Sequence, residues 1–164
     1  MGARTMAGAA VLMLTLMLAA GGAWVSATAQ SADVAVIVNP ANSVSNISLA
    51  DLRKIFAGSK RSWSGGVPVR LVVRAPGCRE RLSLLRLLGM SETEYKQYWT
   101  AQVFRGDADS EPVALPSFGM VKEAVVAFPG AISLADAGSI RTGMYVKVLK
   151  IDGHLPGDPG YPLR

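Results

Sequence analysis

The stretch from Asn46 to Arg74, NISLADLRKIFAGSKRSWSGGVPVRLVVR, constrains this chain more than any other, because it spells a helix, a basic turn and a strand in one unambiguous order. Ser48 is placed to cap a helix, and Asp51 three residues later stands as a shorter substitute for the Glu or Gln of a capping box. Leu49, Leu52, Ile55 and Phe56 recur at the spacing of one helical face and Gly58 supplies the stop, so a buried amphipathic helix is predicted from Ser48 to Ala57. Lys60, Arg61 and Trp63 crowd the connection that follows. Val67 to Val73 then reads as a valine-rich strand with Pro68 at its entrance, where a strand tolerates proline.

The rest of the chain keeps this alternation. Val34 to Val38 (VAVIV) reads as a buried strand closed by Asn39-Pro40, which makes the opening a β-α-β unit ending in strand Val69 to Val73. Gly77 to Leu88 is predicted as a helix with Leu82, Leu85 and Leu88 inward. Ser91 with Glu94 forms a capping box for a short helix that carries Tyr95, Tyr98 and Trp99. Arg105 to Glu111 is a polar loop and Val113 to Leu115 a short strand. Ser117 caps Phe118 to Phe128, where Val121, Ala124, Val125 and Phe128 share a face. Ala131 to Leu134 and Tyr145 to Ile151 complete the strands. The tail from Asp152 is rich in Gly and Pro and lacks either periodicity. One core is predicted, in which Leu52, Ile55, Phe56, Leu71 and Val73 meet Leu85, Leu88, Val121, Val125 and Ile132. The fold class is α/β.

The first 29 residues read as a signal peptide: Arg4 makes a positive start, Ala9 to Leu18 an apolar stretch, and Ala27-Thr28-Ala29 a small-x-small cleavage site before Gln30. An uncleaved anchor is the alternative, since Ala9 to Val25 approaches the ~17 residues a spanning helix needs, but Gly21-Gly22 interrupts it. The mature unit is then 30–164, one ordinary domain, periplasmic or secreted. Cys78 is the sole cysteine, so no intrachain disulfide can form. Loss of the leader removes one of 17 Lys and Arg and none of the 12 Asp and Glu, leaving a mildly basic chain. Its charges are scattered among acids without a basic stripe and stacking aromatics, which argues against nucleic acid.

No chemistry of bond-making is legible. His154 stands alone in the tail without a Cys or carboxylate at metal-ligand spacing, and no serine sits in a nucleophile elbow. Cys78 lies beside Arg79 at a helix start but has no recognisable acid-base partner, so an inert thiol is the reading. The chain reads as a non-enzyme without cofactor or metal. What it offers is an anion-binding geometry: a strand ending at Arg74, the turn Ala75-Pro76-Gly77, and a helix whose first turn holds Cys78 and Arg79. Free N–H groups at such a helix start suit phosphate, sulfate or carboxylate, and an arginine adds bidentate hydrogen bonds. Solvated arginines beside Glu80 are the plainer alternative.

The segment ISLADLRKIFAGSKRSWSGGVPV resembles one found in extracytoplasmic phosphate-binding proteins of ABC importers, in the periplasmic binding protein type II superfamily. The Arg74 to Leu82 turn, Tyr95 to Trp99, Ser117, FPGAISLADA from Phe128 and VKVLKIDGHLPGDPGYPLR from Val146 follow in the same order. The resemblance implies a single type II binding-protein-like lobe, a mixed sheet flanked by helices. It implies an oxyanion site at Arg74, Gly77, Cys78 and Arg79, with Ser117 as a further contact or the cap of its own helix. Family members follow this arginine with Ser-Gly-Thr, where this chain has Cys78, Arg79 and Glu80: both hydroxyls are gone and a carboxylate has arrived. They are also about twice as long and close a second lobe over the anion. Two functions are therefore implied. One is binding of phosphate or a similar small anion for an ABC permease or a sensing system. The other is a derived interaction module that binds another envelope protein and has lost its small-molecule site.

Overall fold

The computed structural model describes residues 33–164, so the expected signal peptide and its cleavage site lie outside the described residues. Six strands form one mixed sheet: β1 (Val34–Val38), β2 (Asn46–Ile47), β3 (Arg70–Arg74), β4 (Val113–Leu115), β5 (Ala131–Asp136) and β6 (Lys147–Ile151), in the order β2-β6-β1-β5-β3-β4. Four helices cover it: α1 (Leu49–Phe56), α2 (Arg79–Leu88), α3 (Glu92–Phe104) and α4 (Phe118–Ala127). The β3, β4 and β5 strands run parallel and end on one side, where the connections into α2 and α4 begin. The expectation of an opening β-α-β unit is corrected here. β1 is antiparallel to both β5 and β6, and therefore runs against β3.

Alternation along β1 explains why the chain packs on both sides of the sheet. Val34, Val36 and Val38 point into one apolar cluster with Leu52, Ile55 and Phe56 of α1 and with Leu84, Tyr95 and Trp99, whereas Ile37 points to the other, against Val121 and Val125 of α4. The single core predicted from sequence is thus two clusters divided by the sheet. On α2 the buried residues are Glu80, Arg81, Ser83, Leu84, Leu85 and Leu87, and Leu88 packs against the same cluster, so Leu85 and Leu88 face inward as expected while Leu82 is 53% exposed and corrects the predicted face. Leucines occupy so much of this helix that periodicity could not choose. The choice falls to the polar partners of Glu80 and Arg81 on other elements. Phe128 likewise lies outside the helix, 44% exposed, with the Arg70 guanidinium 5.0 Å above its ring.

All three serine caps form. The hydroxyls of Ser48, Ser91 and Ser117 accept from the backbone N–H of Asp51, Glu94 and Met120, and Glu94 closes a true capping box. Asp51 does not reach back to its cap. It pairs instead with Lys60 at 3.0 Å. The α3 helix runs 13 residues, longer than the short helix expected. Trp63 is buried and donates from Nε1 to the Gly130 carbonyl at 3.0 Å. Gly130 itself admits no side chain, since a Cβ there would stand 1.8 Å from the Pro68 carbonyl oxygen. The tail read as aperiodic is built into the core: Tyr161 and Leu163 are buried, and the Tyr161 hydroxyl donates to the Val34 carbonyl at 2.8 Å.

Candidate functional site

Parallel pairing sets Arg74 opposite Leu115, so the turn after β3 and the start of α4 at Ser117 meet at the carboxyl ends of three parallel strands. In open α/β sheets that edge is where ligands lodge. Gly77 takes φ +90, a left-handed conformation in open space that lets the chain reverse into α2. Cys78 is the N-cap residue but supplies no side-chain cap, its thiol donating back to the Ala75 carbonyl at 3.1 Å. The first turn of α2 therefore carries N–H groups without a side-chain acceptor, and the helix dipole places about half a positive charge there.

The predicted residues are brought together, and the acids that answer them come too. The Arg74 side chain is 14% exposed and its Nε stands 3.4 Å from Oε1 of Glu80, whose own side chain is 8% exposed. This is an ion pair without a hydrogen bond: Nε is buried and has no hydrogen-bond partner, while Nη1 reaches the Leu115 carbonyl only at 3.5 Å. Arg79 pairs with Asp136 at 3.3 Å, and the other carboxylate oxygen of Asp136 accepts from Ser139 at 3.2 Å. The Ser117 hydroxyl is engaged with Met120 N–H at 3.2 Å. Two arginines face two carboxylates, so the side-chain charge of the turn sums to zero, and the polar groups left without a hydrogen bond there are the first N–H groups of α2 and the Nε–H of Arg74.

Asp136 was not singled out from sequence. Its signal was its place at the end of a strand run, at the same edge as Arg74, but that requires knowing that β5 lies beside β3 and parallel to it. A concavity of about 380 Å³ sits at the opposite end of β3, walled by Trp99 and lined by both cations (Lys60, Arg61, Arg70) and acids (Asp109, Glu111). Its mixed charge lacks the helix start that distinguishes the turn. Among the described residues no group of three His, Cys, Asp or Glu side chains could hold a metal, and no helix is long and apolar enough to cross a membrane.

No protein-family model and no curated protein matches this sequence. Solved structures do match in fold. An ABC-type phosphate transport receptor from Vibrio cholerae superposes with a TM-score of 0.58 at 20% identity over 76% of this chain and 48% of its own. A putative phosphate ABC transporter substrate-binding protein with bound phosphate from Clostridium perfringens gives 0.60 at 20% over 76% and 46%, and PstS from Borrelia burgdorferi 0.58 at 17% over 76% and 49%. The chain spans about half the length of these structures. The resemblance read from the sequence holds at the level of fold: a mixed α/β lobe like part of these phosphate-binding proteins.

Proposed function

We propose that this chain is an exported, non-enzymatic, solute-binding-type lobe, freed of its signal peptide after Ala29, that holds phosphate or a similar small oxyanion at the turn between β3 and α2 for an ABC-type uptake or sensing system. The observation that carries the reading is the Arg74 guanidinium, buried at the carboxyl edge of the sheet with an Nε–H that makes no hydrogen bond, next to an α2 start with no side-chain cap. Gly77 gives the backbone room, and Cys78, Arg79 and Ser117 surround the same place. Support also comes from the fold shared with proteins described as phosphate receptors.

Glu80 sets the chemistry such a site would select. A carboxylate within the shell repels an anion that has only acceptor oxygens, but it accepts a hydrogen bond from one that keeps an acidic O–H. Phosphate keeps that proton at neutral pH and sulfate does not. Binding is therefore weak, micromolar to millimolar or roughly −8 to −4 kcal/mol, and favours phosphate over sulfate. Calorimetry of the purified protein with phosphate, sulfate and chloride at matched ionic strength tests this. Glu80→Gln should strengthen sulfate binding by replacing the repelling carboxylate, and Arg74→Ala combined with Glu80→Gln should abolish both.

One observation favours a second reading, the interaction module of the cell envelope. Arg74 and Arg79 each already face a carboxylate of the same chain. If phosphate and chloride act alike on the parent, and Glu80→Gln does not raise affinity for either oxyanion, the turn is a structural ion-pair cluster and the second reading stands.

A further inference from the structure

At the other end of α2 lies a smaller concavity of about 170 Å³ whose three arginines meet no acid among its lining residues. It is lined by Arg53, Ser83, Arg86 and Arg164 with Leu49 and Pro162 among its apolar walls, and no acid contributes to it. The three arginines arrive from separate elements: the last turn of α1, the last turn of α2 and the tail that straps the core. Arg53 and Arg86 are held in place by contacts that use one nitrogen each. Nε of Arg53 donates to the Leu87 carbonyl at 3.0 Å, and Nη2 of Arg86 donates to the Ser83 hydroxyl at 2.9 Å. Neither makes an ion pair among the described residues, whereas Arg74, Arg79, Arg81 and Arg105 each have a carboxylate partner. Arg164 lies 3.7 Å from Asp33.

Helix ends account for part of this charge. The C-terminal end of α2 offsets a fraction of the Arg86 charge, and Asp33 offsets Arg164. Arg53 and Arg86 keep guanidinium forks without a carboxylate partner among the described residues, each already anchored at one nitrogen, the arrangement that binds planar or tetrahedral oxyanions with little further ordering. The volume corresponds to about five or six waters at ~30 Å³ each, and falls below the ~300 Å³ at which pockets for larger organic ligands begin. A single oxyanion group fits and a nucleotide or sugar does not.

We propose that this pocket is a second anion site, in which Arg53, Arg86 and Arg164 take one phosphate-type group, supplied either as free phosphate or as the headgroup of an anionic lipid. It rests on side-chain charge and stands apart from the turn at Arg74. The test uses purified protein carrying Arg74→Ala with Glu80→Gln, so that the turn is silent. Inorganic phosphate is titrated calorimetrically, and phosphatidylglycerol and phosphatidylcholine vesicles are tested by co-flotation. Arg86→Gln and the pair Arg53→Gln with Arg86→Gln are then compared, and each arginine lost should weaken binding about tenfold, as a charge-assisted contact does. Arg86→Lys should recover part of the affinity, since it keeps charge without the fork. Phosphate binding identifies the free anion as ligand, and binding to phosphatidylglycerol alone identifies the headgroup. Absence of both, or affinities that Arg86→Gln leaves unchanged, overturns the proposal. Arg86→Gln touches only the Ser83 hydroxyl, so its melting curve should match the parent even if loss of Arg53 loosens the end of α2.

Discussion

The pair formed by Arg74 and Glu80 decides whether the turn can release a donor to a ligand, and its strength can be measured. At a separation near 4 Å and an effective dielectric of about 20, opposite charges attract by about 4 kcal/mol, and the 3.4 Å observed belongs to the same range. Desolvation takes back much of this, because both side chains are largely out of water and no hydrogen bond aligns them. A coupling of about 2 kcal/mol is therefore expected, while Arg74→Ala alone should cost about 3 kcal/mol because it strands a buried carboxylate. Glu80→Gln added to Arg74→Ala should recover most of that loss. Urea unfolding of the parent, both single variants and the double variant yields the cycle directly. A coupling below about 0.5 kcal/mol would refute the reasoning: Glu80 would then hold Arg74 too weakly to keep it from a ligand. Arg74→Ala by itself is for the same reason a poor probe of binding, since a fall in stability would be mistaken for loss of a ligand.

Other outcomes follow from burial, sequence and charge. Phe56 is 1% exposed, so Phe56→Ala should cost on the order of 3 to 5 kcal/mol by chemical denaturation, and a loss below about 1 kcal/mol would mean that the α1 face is misassigned. N-terminal sequencing of the protein from envelope fractions should begin at Gln30, and a chain that keeps Met1 in membranes would contradict export with cleavage. The fork from Arg81 to Glu92, with contacts of 2.6 and 2.9 Å, holds the Glu92 carboxyl below its ordinary range through the side-chain hydrogen bond. A depressed folded value means that this stabilisation is fully present above the unfolded carboxyl value of about 4.3 and is lost as pH falls through the folded one. Glu92→Gln should accordingly flatten the acid limb of a stability profile below about pH 4 and change little near neutrality beyond a constant offset, and an acid limb unchanged by the substitution would show that Arg81 is not what lowers it.

What could be read from the sequence was whatever a few neighbouring residues decide together. Ser48, Ser91 and Ser117 are caps because the acceptor and the N–H it serves lie three residues apart, and VAVIV is a buried strand because apolar side chains go to both faces. The turn at Gly77 was legible for the same reason. The errors all lie where the deciding partner is distant in sequence. Glu80 and Arg81 turn α2 inward through Arg74 and Glu92, so the leucine pattern placed Leu85 and Leu88 on the core but misplaced Leu82. Asp136 joins the site because β5 lies parallel to β3, an adjacency that strand patterns do not encode. Tyr161 and Leu163 fill the core from a segment without periodicity, since a tail that crosses a sheet end needs only isolated anchors.

The two anion sites proposed here occupy opposite ends of α2, and that separation bears on how each can be tested. Ten helical residues span about 15 Å at 1.5 Å each. This exceeds the Debye length of about 8 Å at physiological ionic strength, so two bound anions hardly sense one another across solvent. Substitutions that far apart and without shared partners add to within about 0.5 kcal/mol. The double change at Arg74 and Glu80 and the double change at Arg53 and Arg86 should therefore have additive effects on stability, and each should remove its own binding event without altering the other. The sites differ in origin as well: at the turn, backbone dipoles attract once arginines and acids have cancelled, whereas in the pocket the guanidinium groups do so. Raising the salt concentration should thus weaken the exposed arginine pocket more steeply than the turn, where the donor is buried. Equal salt slopes at the two sites, or stability changes that fail to add, would mean that α2 moves as one unit between two positions and that anion binding at one end is felt at the other.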